Sequence, residues 1–344
     1  NGVFCYDQKY KTVKRYSISE QEGSNVVFSI TQRNNGHILV ASQRGLLRID
    51  ETDKTALVEE IEGNTNVSFT VLLATKNDEL YYGTQTEGLK LFSFNKNKRI
   101  SSYTRNNGLT NSPIQSLCID NEGNLWIGTS GGGLNKLNPE TGEFTLYKND
   151  PADSNSLSND RVWTLAEDKY GNIWVGTSDG LNKLEHKSGK FRRYLSSENL
   201  SGHLSHPKVR AIHIDKFNRI WIGTTAGLDL LDETNGKFTN FRPQPGNVET
   251  SEINEVNVIY SDKKGGLWVG THAGGLFYFN SLKKTFNAFR NNPNDEYSIS
   301  YNDVRDIIED RSGILWIATR GGGINKYDLK PAKFSHYAAS YLEK

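Results

Sequence analysis

Six side chains of this 344-residue sequence invite one kind of chemistry: Trp163, Arg210, Arg305, Arg320, Gln115 and Asn257. Guanidinium groups grip carboxylates or sulfates through a planar fork of N–H donors. An indole face stacks on a sugar ring, and primary amides bond the hydroxyls around it. The six are scattered over some two hundred residues, so only a fold can bring them together.

Other chemistries find little support. The seven His, at 37, 186, 203, 206, 213, 272 and 336, show no HxxxH or HExxH spacing. His203 and His206 read as solvated loop residues rather than zinc ligands. GGG at 131–133 and 321–323 precedes no helix, and so lacks the N–H cradle that holds phosphate. Turns of the form DxxG carry too few oxygens for a calcium loop, no GxSxG occurs, and no spacing selects an acid–base pair. The expectation is a binding protein with no catalytic residue, metal or cofactor.

What must position the six is a repeat. GNLWIGT at 123–129 returns as GNIWVGT (171–177), NRIWIGT (218–224), GGLWVGT (265–271) and GILWIAT (313–319), with divergent copies GHILVAS (36–42) and NDELYYGT (77–84). The marker residues are Leu39, Tyr81, Trp126, Trp174, Trp221, Trp268 and Trp316, spaced by 42, 45, 48, 47, 47 and 48. Each copy reads as four short strands, a to d. Strand a carries apolar residues twelve and nine positions before the marker, strand b is LWIGT, strand c resembles GLNKL, and strand d ends on an aromatic residue. Such a unit cannot bury both faces alone, so neighbours must stack, and seven units closing on themselves make a β-propeller. The marker Trp then packs between blades. The fold class is all-β: a single seven-bladed propeller over 1–337, with 338–344 a tail or linker.

The count of strands leaves closure open. There are seven a–b halves but eight c–d halves, because residues 2–16 look like a c–d pair alone. Either this pair completes the last blade, leaving 323–337 as a connection, or the last blade keeps its own c–d and 2–16 is a remnant. The first hides an edge strand and is preferred.

In a propeller strand a lines the central channel, and the b–c and d–a loops share one face. Directly after the first apolar residue of strand a stand Phe28, Thr70, Gln115, Trp163, Arg210, Asn257 and Arg305, which vary while their neighbours hold their type. The b–c loops add Arg44, Ser130, Asp179, His272 and Arg320; the d–a entries add Arg161, Lys208, Asn254, Asn302 and Asp303. Together they make a mouth rich in Arg and amides with one indole, suited to an acidic or sulfated oligosaccharide.

Composition agrees. With 41 basic and 40 acidic residues the net charge is +1, no field for nucleic acid or anionic membrane. Two cysteines, Cys5 and Cys118, read as unpaired thiols. No run approaches a membrane span, and no signal peptide is visible. The chain starts without Met and contains none, as an excerpt would, or a sequence from which modified Met was dropped.

Residues 157–184, LSNDRVWTLAEDKYGNIWVGTSDGLNKL, resemble the two-component regulator propeller family, whose repeats read LSxNxV, EDxxGNLWIGT and GGGLNK in turn. The resemblance covers nearly the whole chain, strongly from about residue 105. It implies the periplasmic sensor part of a hybrid two-component histidine kinase, responding to oligosaccharides and paired as a homodimer through the parent protein. No kinase motif and no direct membrane contact belong to this segment. Streptogramin lyases share a related scaffold, and a His and a carboxylate converging on the loop face would distinguish them; His272 is the only b–c-loop His, and position 210 is Arg. A third reading is an interaction or dimerisation scaffold without a small ligand.

Overall fold

Period-2 alternation in short β-branched and aromatic runs, punctuated by Asp and Gly, dictates strands joined by tight turns. The computed structural model describes residues 13–16, 26–43, 45–50, 55–58, 67–110, 113–197, 202–243, 251–295 and 297–329. It contains seven four-stranded antiparallel sheets. Their first strands are Val27–Gln32, Phe69–Ala74, Ile114–Ile119, Val162–Glu167, Val209–Ile214, Val256–Ser261 and Val304–Glu309. Each of these packs on the next, and the seventh returns to the first, so the sheets close a ring. The molecule is a seven-bladed β-propeller. Its one described α-helix is the single turn Ser251–Asn254.

Closure follows neither arrangement read from the sequence. The seventh blade keeps its own third strand, Gly323–Asp328, and takes only its fourth, Val13–Tyr16, from the start of the chain. The two pair antiparallel, Val13 opposite Tyr327 and Tyr16 opposite Ile324. Residues 2–12, the run 333–337 expected as a further strand, the tail 338–344, Cys5 and Arg44 lie outside the described residues. Ring closure is also tied at the inner strands, where Ile30 N donates to Asp306 Oδ2 at 2.8 Å.

The repeated heptad has a mechanical explanation. The marker tryptophans are at most 3 % exposed. Trp174, for example, packs with Leu204, Val209, Ile220 and Ile222 of the following blade. Each indole N–H donates to the Asp six residues earlier: Trp126 to Asp120 at 2.8 Å, Trp174 to Asp168 at 2.9 Å, Trp221 to Asp215 at 3.1 Å, Trp268 to Asp262 at 2.9 Å and Trp316 to Asp310 at 2.8 Å. The other oxygen of the same carboxylate accepts backbone N–H groups of the turn, as Asp168 Oδ1 does from Tyr170 and Asn172. One Asp therefore shapes the turn and satisfies a buried indole. In the second blade Thr75 Oγ1 takes over the turn, accepting from Asn77 and Glu79.

The glycine two residues after Trp126, Trp174, Trp221 and Trp268 meets the next blade, and Ala318 takes its place after Trp316. A Cβ on Gly176 would stand 2.6 Å from Val209 Cγ1 and 2.5 Å from Thr164 Cγ2, so only hydrogen fits. The buried Asn of strand c locks the loop before strand a. Asn182 accepts from Ser158 N at 2.9 Å and donates to Ser158 Oγ at 2.8 Å; Asn135 with Thr110 and Asn325 with Ser300 repeat the pattern. The following Lys lies across from Trp, Lys183 Nζ being 5.2 Å from the Trp174 ring centroid. The LS and GLNK pieces of the motif are thus two sides of one lock.

Candidate ligand-binding site

All seven first strands break register at the same place. The ladder skips Phe28, Thr70, Gln115, Trp163, Arg210, Asn257 and Arg305, each a β-bulge residue and each half-buried. A bulge frees its residue from the ladder and re-aims the side chain. That is why these positions vary while their neighbours stay apolar. The residue before the first apolar position, the entry residue, belongs to the same face.

A regular contact follows: the bulge side chain of one blade meets the entry residue of the next. Arg210 pairs with Glu255 at 3.0 Å, and Asn257 Nδ2 donates to Asp303 Oδ1 at 3.2 Å. Trp163 has the Lys208 ammonium 5.2 Å from its ring centroid. Arg305 instead turns back to Asp303 of its own blade, with Nη2 at 2.7 Å from Oδ2. His272 Nδ1 reaches the same oxygen at 3.3 Å. Burial pushes the Asp303 carboxyl up from its ordinary range, against the opposing pull of Arg305, His272 and Arg320. Burial likewise lowers the Arg210 guanidinium, offset by Glu255.

Five of the six residues singled out in the sequence are linked to this network. Trp163 donates its indole N–H to Ser178 Oγ at 2.9 Å and has the Arg210 guanidinium 5.2 Å from its centroid. Arg320 is exposed in the b–c loop of the seventh blade, its backbone N–H bonded to Asp303 O at 2.9 Å. Gln115 holds the equivalent bulge on the third blade, away from the Asp303 cluster. Asn257 Oδ1 and Arg305 Nε are buried and make no hydrogen bond within the described protein.

Beside this network opens a cavity of about 530 Å³ lined by Glu252, His272, Ala273, Asn291, Tyr301, Asn302, Asp303 and Arg320. Tyr301 is 48 % exposed, and its ring stands beside the b–c turn, 3.3 Å from where a Cβ of Gly321 would lie. Tyr301, Glu252 and Glu255 were not read from the sequence. The signal was at hand for Tyr301, which precedes the counted entry residue Asn302. Among the described residues no group of three or more His, Cys, Asp or Glu is arranged to hold a metal. Cys118 is unpaired, and burial pushes its thiol up to about 12.

Five blades match the Two component regulator propeller family, at residues 108–131, 156–179, 203–226, 251–273 and 298–321. Those five segments are repeats of that family. The segments contain the five marker tryptophans; the two blades marked by Leu39 and Tyr81 lie outside the matches. No curated protein matches the chain in sequence. Among solved structures, the propeller is similar to the extracellular domain of a B. thetaiotaomicron protein described as a hybrid two component system, BT3049, with a TM-score of 0.77 at 24% identity over 94% of this chain and 42% of that one. BT4673 of the same organism, also described as a hybrid two component system, gives 0.78 at 20% identity, over 94% and 40%. The chain thus spans about two fifths of those extracellular domains. Virginiamycin B lyase from Staphylococcus aureus gives 0.69 at 14% identity, over 92% of this chain and 99% of that one. At these identities the likeness is one of fold.

Proposed function

We propose that this propeller is the ligand-sensing part of the extracytoplasmic region of a two-component sensor histidine kinase, and that its ligand is an oligosaccharide. Three things support the reading: the repeat family, the fold shared with extracellular domains described as parts of hybrid two component systems, and the mouth itself. The last carries it. An exposed tyrosine, two amides, a histidine and an arginine converge on one cavity of about 530 Å³. An aromatic face with hydroxyl-matching donors and acceptors is what a sugar requires. The parent protein would be periplasmic here and paired as a homodimer. A ligand then acts through its difference in affinity between two arrangements of the pair, without deforming the blades. A panel of oligosaccharides screened by thermal shift tests the reading: a binder should raise the melting temperature of wild type and not of Tyr301→Ala. A panel that shifts neither contradicts it.

One observation favours a second reading. His272 and Asp303 do converge on the loop face, as a lyase would need. Asp303, however, is already engaged by Arg305 and Asn257, so it is a poor free base. Purified protein should leave sugar and cyclic-peptide substrates intact, with or without divalent metal. Turnover that disappears in His272→Ala would overturn the sensor reading.

A further inference from the structure

The pairing of bulge and entry residues matches charge on one side of the mouth and fails on the other. Glu255 and Asp303 face Arg210 and Asn257. On the fourth and fifth blades the entry residues are Arg161 and Lys208, and the preceding blades offer only the neutral bulge residues Gln115 and Trp163. Among the described residues neither cation makes an ion pair. Both lie over the Trp163 ring, Lys208 Nζ at 5.2 Å and Arg161 Cζ at 5.9 Å from its centroid, beside Arg210 Cζ at 5.2 Å.

Each cation is attracted by the face of the ring, but the three repel one another. Burial, and then Arg210 and Arg161, hold the Lys208 ammonium below its ordinary range, with Glu255 pulling the other way. Glu255 is committed to Arg210. His206, whose Nδ1 accepts from Lys208 N at 3.1 Å, is pushed down by burial and by Lys208, so it adds no further positive charge. Asp179 is exposed in the neighbouring b–c loop and makes no ion pair among the described residues. Ser178, which accepts the indole N–H, has its own O–H to donate.

We infer that Arg161 and Lys208, ordered on Trp163, form an anion subsite that takes a sulfate or carboxylate substituent of the ligand. The inference rests on the mouth being the ligand site. It moves charge recognition away from Arg210 and Arg305, whose own carboxylates already answer them. The Trp163 ring becomes the platform for the cations, and the exposed ring of Tyr301 serves the sugar. The ligand is then an acidic oligosaccharide with its anionic group toward the fourth and fifth blades and its neutral end toward the sixth and seventh.

Sodium sulfate, titrated at constant ionic strength into ¹⁵N-tryptophan-labelled protein, reads the subsite directly through the indole resonance that Trp163→Phe removes. A saturable shift of that resonance is expected, weakened at least roughly tenfold in Arg161→Gln/Lys208→Gln. No shift, or an equal one in the double variant, overturns the inference. A sulfated chondroitin disaccharide and its unsulfated counterpart separate it from the reading beneath it. A preference for the sulfated form, lost in the double variant, supports both. Equal binding of the two forms refutes the anion subsite and leaves the sugar site standing. A sulfate response with neither sugar bound does the reverse.

Discussion

Asp229 occupies the place that Asn135, Asn182 and Asn325 hold in other blades, fully buried and bonded to Ser205 N at 2.8 Å and to Asn240 Nδ2 at 2.5 Å. Burial pushes its carboxyl up to about 6. The carboxyl therefore ionises later in the fold than in the unfolded chain, so its contribution to stability is lost as pH rises from about 4 through about 6. Asp229→Asn keeps the bond from Ser205 and removes the charge. It should stabilise the protein at pH 7 by about 2 kcal/mol and flatten the pH profile in that window, read by denaturant unfolding; an unchanged profile contradicts the assignment. In the mouth, Arg305→Ala should weaken ligand binding chiefly by disturbing the mouth, since its guanidinium is already paired with Asp303. Part of that loss comes from leaving Asp303 buried without its partner, so exposed Arg320 is the cleaner probe. The bulge residues were legible in the sequence because they vary between fixed apolar neighbours. Their partners were not, because Arg210 meets Glu255 and Asn257 meets Asp303 only once blades some 45 residues apart are stacked.

The strand that closes the ring separates what pattern can show from what it cannot. Copies of strands c and d at both ends of the chain left two closures open, and alternation says nothing about which edge a strand joins. The structure gives the seventh blade three strands of its own and a fourth from Val13–Tyr16. Removing residues 1–16 should expose the edge of Gly323–Asp328, lower stability by about 3 kcal/mol and promote association, seen in thermal unfolding and sedimentation. A truncated protein as stable and monomeric as the parent would mean that the pairing is dispensable. Gly176, two residues after its marker, is a point of close approach, and Gly176→Val should be among the most damaging substitutions, since backbone and Val209 leave its side chain no space. The indole-to-Asp bond was not read at all: a DxxG turn explains itself locally, and nothing in its sequence reveals that one carboxylate oxygen is kept for a Trp six residues on.

At the scale of the whole ring, seven equivalent wedges share the load. Trp174, fully buried between two blades, should cost about 3–5 kcal/mol when changed to Ala, as should its four counterparts. This rigidity is what a sensor mouth needs, since loops on a stiff scaffold hold their groups in place before the ligand arrives. The number of blades and their order were legible from period alone. Which loops share a face followed from topology, and the cavity beside Tyr301 did not, because its lining comes from loops of two blades that meet only when stacked. Calorimetric titration of neutral and acidic oligosaccharides into wild type and Tyr301→Ala/Arg320→Ala tests the central claim most directly. Both positions are exposed, so folding should be unaffected. At least one sugar should bind wild type, and the double variant should bind it more than roughly tenfold more weakly at an unchanged melting temperature. Equal binding by the two proteins, or binding by neither, would contradict the account.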